Sequence, residues 1–218
     1  TTMRDVQYYV DTTSLLNDPE ALRQRARQDG CLFFEGLLPQ SDVLDVRRQV
    51  LDVCARHGWL AQDNDLMEGI VHAERTVIES SDPRWKSFYC DVLKLRAFHA
   101  LALHRAIIDA LSLLFGEAVL PHSRNICRAM FPQTLMHSTP PHQDYFYIGG
   151  SDETWTAWIP LGDCPADLGS IAVARGMHEV GFIRDVHEAQ GAGGRAVDVG
   201  EEAGLSLIHI SEPTRHTR

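Results

Sequence analysis

The sequence predicts a mixed α+β chain, with helices in the first half and short strands in the second. Three observations predict it. Apolar residues recur at helical spacing up to about residue 116. Beyond that point the texture changes to short apolar runs cut by Pro and Gly. The 218 residues, 44% of them hydrophobic, suffice for one sizeable core rather than two.

The helical half opens at Asn17-Asp18-Pro19-Glu20, a capping residue followed by Pro in the first turn, and residues 20–28 are rich in helix formers. Asp29-Gly30 ends that helix, and Cys31-Leu32-Phe33-Phe34 is an apolar run of strand length. Pro39-Gln40-Ser41-Asp42 starts a second helix, with Val43, Val46, Val50 and Val53 at helical spacing and Gly58 at its end. Residues 61–81 are polar and weakly periodic, so they read as a long loop, either a lid over a pocket or a plain surface loop. Pro83 opens another helical region, in which Leu101, His104, Ile108, Leu111 and Leu114 form a core-packing stripe that stops at Gly116.

Strands are expected at residues 118–120, 126–131, 145–148, 154–159 and 170–173. Several short strands with such punctuation suggest a sandwich, jelly roll or barrel.

Charge and cysteine content narrow the function. A formal charge of −10 argues against nucleic-acid or anionic-membrane partners, because phosphate binding needs clustered Lys and Arg. A small-molecule partner is expected instead. Five cysteines at wide spacings, without a CxxC pair, read as reduced core thiols of a cytoplasmic protein. No run approaches the roughly 18 to 20 apolar residues that span a bilayer, and the first residues lack a signal-peptide core.

The chemistry concentrates in Pro140-Pro141-His142-Gln143-Asp144, at the entry to the aromatic run Tyr145-Phe146-Tyr147. On a strand, residues two apart share a face, so His142 and Asp144 can present an imidazole and a carboxylate to one ion. That is two-thirds of a 2-His-1-carboxylate facial triad, which leaves three metal positions open for a bidentate 2-oxo acid and O₂. An HxD alone is weak, because it recurs on many surfaces. Arg128, Gln133 and Thr139 precede it and are either contacts for cosubstrate or substrate or, as the plainer reading, exposed or merely hydrogen-bonded side chains. Trp155 and Trp158, three apart, would face opposite ways on a strand, one into the core and one toward a pocket, with core packing of both as the plainer alternative. His137 and His187 read as bystanders.

Context strengthens the motif. Asp29-Gly30 before an apolar run and Leu37-Leu38-Pro39 come first, then His142-Gln143-Asp144. Trp155-Thr156-Ala157-Trp158-Ile159-Pro160-Leu161-Gly162-Asp163 follows, then Gly169-Ser170-Ile171-Ala172-Val173-Ala174-Arg175-Gly176-Met177-His178. In this order, over about residues 11–181, the sequence resembles the phytanoyl-CoA dioxygenase family of iron(II)/2-oxoglutarate-dependent dioxygenases. The resemblance implies a double-stranded β-helix core, a jelly roll of cupin-like form, behind N-terminal helices. It implies Fe(II) held by His142 and Asp144, 2-oxoglutarate and O₂ as cosubstrates, and hydroxylation of a small organic molecule. A carboxylate at position 144 favours hydroxylation over halogenation. His178 falls in what looks like the family's Gly-Ser-His turn and reads as structural or supporting rather than as a ligand. The alternatives are a catalytically silent β-helix module that binds a small molecule, and a metal-dependent cupin of another reaction class.

The family pattern also implies a distal His as third ligand and, further on, an Arg that grips the 2-oxoglutarate carboxylate. Neither is recognisable between Val197 and Gly204. From about Leu205, the string Leu-Ser-Leu-Ile-His-Ile-Ser-Glu-Pro-Thr-Arg reads as a translated transposon-type sequencing adapter. The expectation is one domain over residues 1–204, helical over about 1–116 and β over about 117–204, incomplete at its C-terminus, with a non-native tail at 205–218. On that reading His209 is not the third ligand, Arg215 and Arg218 are not the carboxylate anchor, and the chain binds iron weakly and turns over little.

Overall fold

The computed structural model describes residues 7–72, 82–131, 139–151, 153–165, 170–174, 176–189, 195–198 and, for the backbone alone, 205–207. Helices α1 (Pro19–Asp29), α2 (Gln40–Arg56), α3 (Pro83–Val92), α4 (Arg96–Ala102) and α5 (Arg105–Phe115) fill the first half. A four-residue helix α6 (Tyr145–Ile148) and strands β1 (Gln7–Tyr8), β2 (Ala172–Ala174), β3 (Val186–Glu188), β4 (Arg195–Val197) and β5 (Leu205–Leu207) complete the described elements.

Capping chemistry sets the bounds of α1. The Asp18 side chain accepts from the Ala21 N–H at 3.1 Å, Pro19 sits in the first turn, and Gly30 closes α1 in the left-handed region at φ 68°. In α2 the valine face is buried as its spacing predicts, with Val46 and Val53 at 2% and 0% exposure. The expected stripe is buried at Leu101 and Leu114, with Leu111 packed beside Leu114, but it is broken at His104. His104 does not pack in it; its Nδ1 accepts from the Ala106 N–H at 3.2 Å, starting α5 afresh, and Ile107, Ala110 and Leu114 are the buried residues there. The 20-residue stretch Arg96–Phe115 is long and apolar enough to cross a bilayer by length and composition, contrary to the sequence expectation. It bends at Leu103 and His104 into α4 and α5, which pack on α2 and α1 respectively.

Two clusters form the interior. The larger joins Val46, Val50 and Val53 of α2 to Trp59, to Trp85 and Phe88 of α3, and to Cys127 and Phe131. Trp59 and Phe88 lie 4.5 Å apart between ring centres. The smaller joins Leu22, Ala26 and Leu114, with Trp155 packed against it. Ile159 and Leu161 pack against the larger cluster, so the segment from Trp155 to Leu161 is held at both ends.

The strand half differs from expectation. Of the five predicted strands, residues 118–120, 126–131 and 154–159 lie outside regular structure as far as they are described, and Tyr145–Ile148 is helical. Only Ala172–Ala174 matches a predicted strand, and Cys31 to Phe34 contributes a single bridge, Asp11 with Phe33. Apolar composition favours a pleated surface only where a neighbouring strand takes up the backbone N–H and C=O groups. At 145–148 the chain satisfies its own: Ile148 N–H donates to Asp144 O and Gly149 N–H to Tyr145 O. The strands present form a three-stranded sheet in the order β1, β5, β2 and an antiparallel β3–β4 pair. β5 runs parallel to β1 and antiparallel to β2. Within the loop after α2, Leu60 bridges Val71 in antiparallel fashion.

Candidate metal centre

Pro140 and Pro141 have no N–H to donate, but both carbonyls are used. Pro140 O accepts from His142 Nδ1 at 2.8 Å, and Pro141 O accepts from the Val197 N–H of β4 at 2.8 Å. The first bond fixes the ring, and the second docks the β3–β4 pair beside it. A carbonyl only accepts, so Nδ1 carries the proton and Nε2 is the nitrogen left to face Asp144.

Nε2 of His142 stands 3.2 Å from Oδ1 of Asp144. The other carboxylate oxygen, Oδ2, accepts from the Thr156 hydroxyl at 2.6 Å. The His142 pKa is raised, first by the bond to Asp144, against the opposing effect of burial. That of Asp144 is lowered, first by His142 and further by Thr156. The Arg128 guanidinium is near enough for its charge to depress both.

The donor set suits a divalent ion. Two cis donors at about 2.1 Å from an octahedral ion are about 3 Å apart, the separation seen between Nε2 and Oδ1. The Nδ1–H to carbonyl bond is the usual outer support of a metal-binding imidazole. Among the described residues, no group of three or more His, Cys, Asp or Glu side chains could hold a metal ion.

Gln143, between the two donors, clamps the chain beyond the Gly176 turn. Its Nε2 donates to Gly181 O at 2.8 Å, and its Oε1 accepts from the Ile183 N–H at 2.9 Å. A cleft beside His142 is lined by Phe146, Tyr147, Ile183, Val186 and Val197, with Arg195 over the Phe146 ring at 5.2 Å.

The sequence candidates fare unequally. His142 and Asp144 meet, although through a turn rather than along a strand, and Arg128 lies within electrostatic reach of both. Thr139 is exposed, three residues before His142. Gln133, His137, His209, Arg215 and Arg218 lie outside the described residues. Trp155 packs in the smaller cluster, while Trp158 is an exposed large side chain. His187 is exposed on β3. His178 donates from Nε2 to Arg27 O of α1 at 3.0 Å. Sequence reasoning assigned no role to Thr156, the Gln143 clamp or Arg195. Thr156 and Gln143 lie inside motifs that drew attention for other reasons, and no spacing rule marks them.

No family model matches the chain. It is similar to the 1-deoxypentalenic acid 11-beta-hydroxylase of Streptomyces arenae, 29% identical over 177 residues, which are 79% of this chain and 59% of that protein. The hydroxylase of the same name from Streptomyces exfoliatus is 29% identical over 180 residues, with the same shares covered. The chain spans about three-fifths of the length of these curated relatives. It is a distant homologue of small-molecule hydroxylases.

Proposed function

We propose that the chain belongs to a non-haem iron(II)/2-oxoglutarate-dependent dioxygenase that hydroxylates a small organic molecule, and that His142 and Asp144 are two of its iron ligands. The observation that carries the reading is the approach of His142 Nε2 to Asp144 Oδ1 at 3.2 Å, with Nδ1 already committed to Pro140. The distant likeness to hydroxylases supports the reaction type, and the resemblance to the phytanoyl-CoA dioxygenases supplies the cofactor and the double-stranded β-helix as the parent architecture.

Iron(II), when bound with 2-oxoglutarate, supplies the oxidising chemistry: O₂ is consumed, 2-oxoglutarate leaves as succinate and CO₂, and one oxygen atom enters a substrate C–H bond. The chain's own residues do the rest. His142 presents Nε2 because Pro140 holds its other nitrogen, and Asp144 presents one oxygen because Thr156 holds the other. Phe146, Ile183, Val186 and Val197 give the narrow cleft beside His142 an apolar wall, suited to keeping water from that side of the imidazole. His142 and Asp144 are the two donors proposed among the described residues.

The test is an anaerobic titration with iron(II) and 2-oxoglutarate, watching for the visible charge-transfer absorption of the chelated metal. A band that requires both additions and vanishes in His142→Ala supports the reading. A parallel His209→Ala variant then asks whether that residue completes the site. Absence of a band from the folded chain at high iron counts against the reading. A band without oxygen-dependent loss of 2-oxoglutarate turns it toward a binding module without catalysis.

A further inference from the structure

We infer that Thr156 is a positioning residue that holds Asp144 to one-oxygen coordination of the ion, an inference that rests on the metal site proposed above. The Thr156 hydroxyl donates to Asp144 Oδ2 at 2.6 Å across twelve residues of chain, while Oδ1 of the same carboxylate faces His142 Nε2 at 3.2 Å. The carboxylate is thereby divided, Oδ2 bonded to the Thr156 hydroxyl and Oδ1 turned to the His142 nitrogen beside which an ion would bind.

Packing makes this division firm. Thr156 is exposed and contributes little to either core, but its neighbours are held. Trp155 packs with Leu22, Ala26 and Leu114, and Ile159 and Leu161 pack with the α2–α3 cluster. The Leu161 carbonyl also accepts from Arg47 Nη1 of α2 at 3.4 Å. The hydroxyl is therefore offered from a segment anchored on both sides of it.

The consequence concerns open metal positions. A carboxylate free to turn about its terminal torsion can offer both oxygens to one ion and occupy two positions. A carboxylate with one oxygen bound by a short hydroxyl bond offers one. A facial set of three one-atom donors leaves three positions for a bidentate 2-oxo acid and O₂. A two-oxygen carboxylate would leave one fewer, so Thr156 guards the space in which cosubstrates bind.

Cobalt(II) alone is the probe, because its visible spectrum reports coordination number without oxygen or turnover. The full chain is titrated beside Thr156→Val, Thr156→Ser and His142→Ala. Thr156→Val keeps the shape and removes the donor, and Thr156→Ala offers a second donor-free variant without added bulk. The expected result is a changed visible band, that of a higher coordination number, in both donor-free variants, and recovery of the parent band in Thr156→Ser. A parent-like spectrum in both donor-free variants, with binding lost in His142→Ala, overturns the role of Thr156 and leaves the metal site standing. Cobalt binding that His142→Ala does not weaken, or no binding to the parent, overturns the site and the role of Thr156 together.

Discussion

The imidazole of His178 lies directly over Gly30, so closely that a methyl group on Gly30 would overlap the ring, and its Nε2 donates to Arg27 O at 3.0 Å. The end of α1 and the turn after β2 are thus locked by one hydrogen bond and one close approach. Gly30 is needed there twice, for its φ of 68° and for its missing side chain.

Gly30→Ala should therefore cost more than backbone strain alone. The left-handed conformation costs an alanine about 1–2 kcal/mol, and the displaced ring would also give up its bond to Arg27. Gly36 is the control, since it has φ 66° but no atom within 4 Å of the position its Cβ would take. Thermal melts should show Gly30→Ala less stable than Gly36→Ala. Equal losses would mean that the His178 contact contributes nothing.

The Gln143 clamp predicts a local effect. Replacing Gln143 with Leu removes the partners of Gly181 O and Ile183 N, each bond being worth about 0.5–1.5 kcal/mol net. Amide exchange at Ile183 should quicken while the global melt moves little, because water can reach the exposed Gly181 carbonyl. Gln143→Glu keeps an acceptor for Ile183 and sets a carboxylate against the Gly181 carbonyl. It should protect Ile183 while weakening the hold on Gly181. Unchanged exchange in the Leu variant would show the clamp to be unimportant.

Much of the helical half was legible because its signals are local. Asp18 before Pro19, the valines of α2 and Gly30 each act within a turn or two, and each does in the structure what its position predicts. His104 was misread because a histidine at helical spacing can either continue a stripe or begin a new helix, and only the backbone of Ala106 decides. The strands were poorly legible because pairing is non-local. The run Ala118-Val119-Leu120 is apolar, yet Leu120 is 95% exposed. At the site, the pairing of imidazole and carboxylate could be anticipated from a two-residue spacing. The Thr156 bond could not, because a hydroxyl twelve residues away is placed by tryptophan and leucine packing elsewhere.

Phe88 sits where the aromatic interior converges, 0% exposed, 4.5 Å from Trp59 and 5.3 Å from Trp85 between ring centres. Phe88→Ala should cost about 3–5 kcal/mol through lost contacts and the cavity left behind. Denaturant melts read the loss, and tryptophan emission should shift to longer wavelength as water reaches the two indoles. A loss below about 1 kcal/mol would show that α3 repacks freely against α2.

The buried thiols give a prediction for alkaline solution. Cys54 is buried on α2, and burial first, then the neighbouring Cys127, pushes its pKa from 9.0 up to about 12. Below about 9 the thiol is protonated in both the folded and the unfolded chain, so its contribution to stability is full and constant. Between 9 and about 12 the unfolded chain loses the proton and the folded chain keeps it, so stability falls as pH rises. Cys54→Ala should be less stable at neutral pH, through lost packing, but should decline less steeply over that window. Other groups that ionise in alkali are common to both proteins, so the difference in slope isolates Cys54. Alkylation at mildly alkaline pH should agree: the exposed Cys90 reacts first, and Cys54 and Cys127 react only as the chain unfolds. Equal slopes for the two proteins, or early labelling of Cys54, would mean that the face of α2 packed on α3 opens to solvent in the native state.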